Sequence, residues 1–65
     1  MYRKLRGRIV EYFGTIQEFA TALGISRQMA SRYVNGRAKF TSAVMDKWGS
    51  LLNIERSEYP EYFFA

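Results

Sequence analysis

The run Ile16 to Gly36, IQEFATALGISRQMASRYVNG, constrains the fold more than any other part of the chain. Its apolar residues recur at helical steps, Ile16, Phe19, Ala20 and Leu23 in one stretch, then Ala30, Tyr33 and Val34 in another. Between the stretches, Leu23-Gly24-Ile25 provides a tight reversal. Thr15 and Glu18 have the spacing of a capping box ahead of the first helix, and Ser26 can cap the second. Ala20 is small where the two helices pass closest, and Ile25 can plug the corner. The pattern predicts two short helices joined by a turn, the second protruding.

The flanking sequence supplies the rest of a core. Arg3 to Phe13 carries Leu5, Ile9 and Phe13 at four-residue steps, with Tyr2 and Tyr12 beside the stripe and Arg6 and Arg8 off it. Gly14 stops this helix. A fourth helix starts at Thr41 or Ser42, turns Val44, Trp48, Leu51 and Leu52 inward, and ends near Asn53. Phe13, Phe19, Tyr33, Phe40 and Trp48 are core candidates, because a domain this small needs large side chains to build an interior. Residues 54–65 form an aromatic tail containing Pro60, the only proline. We therefore expect an all-α, compact four- to five-helix bundle in a single domain, 1–65.

Composition removes several functional classes. The chain has no cysteine and no histidine, so disulfides, the usual zinc ligands and the commonest acid-base and nucleophilic groups are missing. There is no glycine-rich phosphate loop, and Glu55, Glu58 and Glu61 fall in the tail. The expectation is a protein that is not an enzyme and takes no metal, cofactor or small-molecule ligand. No apolar run reaches the roughly 18 residues of a membrane span, which leads us to expect a cytoplasmic protein with no membrane partner.

Charge is unevenly distributed. Up to Phe40 the bases Arg3, Lys4, Arg6, Arg8, Arg27, Arg32, Arg37 and Lys39 face only Glu11 and Glu18. From Thr41 onward Lys47 and Arg56 face Asp46, Glu55, Glu58 and Glu61. A basic half joined to an acidic half suits a chain with one face toward a polyanion. At about 100° per residue, Gln28, Ser31, Arg32 and Asn35 occupy one sector of the third helix, opposite Ala30, Tyr33 and Val34, with Arg27 in the first turn. Arginine can bond guanine bidentately, and glutamine and asparagine can do so to adenine. Arg37 and Lys39, after this helix, and Arg3, Lys4, Arg6 and Arg8 near the N-terminus are placed to reach flanking phosphates.

The run Glu18 to Ser26, continuing through Tyr33-Val34-Asn35-Gly36-Arg37, resembles the Cro and phage-repressor helix-turn-helix family. The wider pattern, Lys4-Leu5-Arg6-Gly7-Arg8-Ile9-Val10, Phe13-Gly14-Thr15, Phe40-Thr41, Leu51-Leu52-Asn53-Ile54 and Glu61-Tyr62-Phe63-Phe64, resembles short Cro-like regulators of phages and prophages. The resemblance implies a lambda repressor-like DNA-binding domain that acts as a transcriptional repressor. It also implies a double-stranded operator as partner and a homodimer on a pseudo-palindromic site. Carried over by residue, it implies base reading by Arg27, Gln28, Ser31 and Arg32, with Asn35 near the phosphates; Gln17, Ser26, Arg37 and Lys39 are the other phosphate-contact candidates. Two positions depart from the family pattern. Ile16 stands where a phosphate-binding glutamine is common, with Gln17 one step later, and Ala30 replaces a larger β-branched residue, with Met29 the candidate to fill the space.

The tail crowds Tyr59, Tyr62, Phe63 and Phe64 into six residues, more apolar area than a terminus usually hides. These are the dimerisation candidates, part of the cluster closing the core and part meeting a second copy. The alternative reading is a protein-interaction module, antirepressor or antitoxin-like, that reuses the same fold. Such a module should show apolar anchors on its third helix.

Overall fold

The computed structural model describes residues 2–64; positions 1 and 65 of the expected domain lie outside the described residues. Five helices follow one another: α1 (Arg3–Phe13), α2 (Ile16–Leu23), α3 (Arg27–Val34), α4 (Ser42–Leu52) and α5 (Tyr59–Phe63), the last preceded by a 3₁₀ turn at Arg56–Glu58. Among the described residues there is no strand, and no helix is long and apolar enough to cross a membrane.

Local chemistry sets the boundaries. Thr15, Ser26 and Thr41 each accept a hydrogen bond from the amide three residues on, at 3.1, 3.1 and 3.3 Å, and so cap α2, α3 and α4. At α2 only half of the expected capping box forms, since no return bond from Glu18 to Thr15 accompanies the Thr15 cap. A carboxylate reaching back to its cap occurs instead at the 3₁₀ turn, where the Glu55 amide donates to Glu58 at 3.1 Å. α2 ends in a left-handed Gly24 (φ 79°, ψ 26°), and the Ile25 amide closes on the Ala20 carbonyl at 3.0 Å. That conformation is what an L side chain resists, so a glycine makes the reversal into α3 inexpensive.

The interior is wholly apolar among the described residues. Leu5 and Ile9 of α1, Phe19, Ala20 and Leu23 of α2, Ala30 and Val34 of α3, and Trp48 and Leu52 of α4 are buried together with Ile54, Tyr62 and Phe63. Phe40, in the connection between α3 and α4, ties these elements together. Its ring meets those of Tyr2, Tyr33, Trp48 and Phe63 with centroids 5.4, 5.0, 5.1 and 4.9 Å away. Such edge and tilted contacts add attraction beyond area burial. One ring thus fixes α3 against the start of α1 and the end of α5.

The aromatic tail separates into two roles. Tyr62 and Phe63 lie in the core, which withdraws them from the set of dimerisation candidates, because a buried ring offers a partner no surface. Tyr59 is half-buried, and Phe64 stands 61% exposed. Met29 also departs from expectation. It is 44% exposed rather than packed beneath Ala30, because one helical step rotates it by about 100° toward α4.

Candidate nucleic-acid interface

α3 carries its polar sector outward. Arg27, Gln28, Arg32 and Asn35 are exposed and Ser31 half-buried, while Ala30 and Val34 face inward and are buried. Gln17, Ser26, Arg27, Gln28 and Ser31 line one open hollow of about 450 Å³, which brings the start of α2 beside the start of α3. Gln17 therefore borders the polar face of α3 although Ile16 packs against the core. Ser26, Gln28, Met29 and Arg32 line an adjoining hollow of about 340 Å³.

Several of these side chains are already held in place. The Ser26 hydroxyl accepts from the Met29 amide as the α3 cap, leaving its own hydrogen free to donate. Gln17 Nε2 donates to Thr21 Oγ1 at 3.3 Å, and Asn35 Nδ2 donates to Ser31 Oγ at 3.2 Å. Each amide keeps a second hydrogen for an outside acceptor. Side chains ordered before a ligand arrives lose less freedom when it binds.

The ion pairs explain which bases are free. Among the described residues two pairs form, Lys4 with Glu61 and Arg56 with Asp46. Arg3, Arg6, Arg27, Arg32, Arg37 and Lys39 have no carboxylate partner there and are all exposed. Lys4 and Arg8 leave the group placed near phosphates. Lys4 bonds Glu61, whose carboxylate raises the ammonium's proton affinity above its ordinary value. Arg8 Nε donates to the Leu52 carbonyl at 2.9 Å and Nη2 to the Asn53 carbonyl at 2.8 Å. Its guanidinium also lies 5.0 Å from the Tyr12 ring centroid and 5.6 Å from that of Tyr62. Both residues hold the C-terminal segment, a role that the α1 pattern does not signal.

Arg3 and Arg6 behave differently. With Tyr2, Val34 and Asn35 they line a hollow of about 310 Å³ at the far end of α3. A further depression, apolar and about 270 Å³, is lined by Leu23, Ile25, Met29, Tyr33, Val44, Lys47 and Trp48.

Residues 1–65 match the family described as "Protein of unknown function (DUF739)". The chain belongs to that family. Among solved structures, this DUF739 member is similar to the modulator of repression (MOR) of the temperate bacteriophage TP901-1 from Lactococcus lactis. The two are 32% identical with a TM-score of 0.88, over 97% of this chain and 85% of the other. No curated protein matches the sequence.

Proposed function

We propose that this chain is a phage regulatory protein that binds double-stranded DNA, with α3 in the major groove of an operator. The observation that carries the reading is the outward face of α3, where Arg27, Gln28, Ser31 and Arg32 stand together, with both arginines free of carboxylate partners. In this reading those four side chains meet base edges, while Gln17, Ser26, Asn35, Arg37 and Lys39 meet phosphates. The likeness to a modulator of repression supports a place in phage gene regulation, and the sequence resemblance to short Cro-like regulators is what suggests action at an operator. Action is as a homodimer in the cytoplasm, with Phe64 and Tyr59 as the remaining contact candidates. The absence of histidine and cysteine favours a binding protein over an enzyme.

Selection of bound duplexes from a random library tests the reading and should return a two-fold motif with half-sites about one helical turn apart. With Arg37 and Lys39 as the cations among these phosphate contacts, this set should give log affinity against log salt a slope of about −2 per subunit. Gln28→Ala or Arg32→Ala should cost about 1–3 kcal/mol at the selected site and relax its sequence, while Lys39→Ala weakens all sequences alike. Equal losses on selected and random DNA for Gln28 and Arg32 would remove them as base readers.

A second reading, control through a protein partner, is favoured by the apolar depression around exposed Met29 and by the likeness to a protein that modulates repression. Binding of a random duplex that is absent or insensitive to salt favours this second reading, and Met29→Glu should then abolish control by the protein partner.

A further inference from the structure

We propose that the first turn of α1 and the end of α3 form a second phosphate seat, gripping duplex DNA at the opposite end of α3 from the Gln17 and Ser26 hollow. The inference rests on the DNA-binding reading and adds a site to it. Its residues are Arg3, Arg6 and Asn35, with Tyr2 as the support beneath them.

The ordinary structural role for arginines at a helix C-terminus is to cap open carbonyls, and here backbone amides already close three of the last four. The amides of Asn35, Gly36 and Arg37 close on the carbonyls of Ser31, Tyr33 and Arg32 at 2.9, 3.1 and 2.8 Å. The side chains of Arg3 and Arg6 make no hydrogen bond or ion pair among the described residues, unlike those of Lys4 and Arg8 on the same helix. Two unpaired guanidiniums beside a half-committed amide are a donor set for an oxyanion.

The placement is held by packing. The Tyr2 ring meets Phe40 edge-on, and its Cε2 lies 3.8 Å from where a Cβ on Gly36 would stand. The start of α1 is thereby fixed against the turn that follows α3. The eight residues of α3 span about 12 Å, with the Gln17 and Ser26 hollow at one end and the Arg3 and Arg6 hollow at the other, so phosphate contacts can flank the stretch that faces bases.

The test is fluorescence anisotropy on a random-sequence duplex between about 50 and 200 mM salt. Arg3→Gln with Arg6→Gln is compared with Lys47→Gln and Arg56→Gln, which removes the same charge from the other half of the molecule. The first pair should make the salt slope shallower by about 2 and lower affinity about tenfold or more, while the second moves the slope by less than half as much. Equal changes from both pairs would show a diffuse field instead of a seat, and no change from the first pair would overturn it. Absence of DNA binding by the unaltered chain overturns the DNA reading and the seat together, whereas binding that ignores Arg3 and Arg6 overturns the seat alone.

Discussion

The guanidinium of Arg8 closes on the carbonyl of Asn53 at 2.8 Å, joining the middle of α1 to the end of α4. With the bond to the Leu52 carbonyl it supplies charge-assisted donors where α4 exposes its last acceptors and the negative end of its dipole. Arg8→Met keeps much of the aliphatic packing and removes both bonds. It should lower unfolding stability in urea by about 1.5–3 kcal/mol, with little change in DNA affinity.

Gly24 sits at φ 79° in the turn that sets α3 out from α2. A Cβ there meets no atom within 4 Å, so Gly24→Ala isolates the backbone cost. That cost is about 1–2 kcal/mol and should appear as a drop in melting temperature of several degrees.

Truncation after Glu58 removes the buried Tyr62 and Phe63 and should leave a chain with little cooperative thermal unfolding. Phe63→Ala alone should cost about 3–5 kcal/mol. Phe64→Ser should preserve the melting curve, because that ring is largely in solvent. If Phe64 forms the dimer contact, sedimentation of this variant shifts toward monomer; unchanged sedimentation places the contact elsewhere.

Two groups make stability fall in alkali. Lys4 is raised above its ordinary value of 10.5 by the hydrogen bond and charge of Glu61, and Tyr59 above 10.0 by desolvation and its bond to Asp46. Each folded form holds its proton more tightly than the unfolded chain, so their contribution is full below the unfolded values and is lost as pH rises through the folded ones. Urea titrations should show no change from these groups between pH 7 and 9 and a declining midpoint from about pH 10 upward. Tyr59→Phe should flatten part of that decline.

Much of the architecture was legible because it is encoded locally. Thr15, Ser26, Thr41, Gly14 and Gly24 mark their own helix ends, and the polar sector of α3 follows from residues within eight positions. The roles of Lys4 and Arg8 were not legible, since their partners lie 57 and 44 or 45 positions away. α5 is too short, at five residues, to show a helical period, so the division between buried Phe63 and exposed Phe64 had no sequence signal. The charge distribution marked Arg3 and Arg6 for phosphate contact, but nothing local to α1 separated them from Lys4 and Arg8, whose partners are distant in sequence.

The four-way aromatic contact of Phe40 makes the tilt of α3 a collective variable. A smaller ring at this single position would let α1, α3, α4 and α5 resettle together, changing how far the outward helix projects without altering any residue on its surface. Substitution at position 40 is thus a way to shift α3 against the rest of the fold while every outward side chain stays the same.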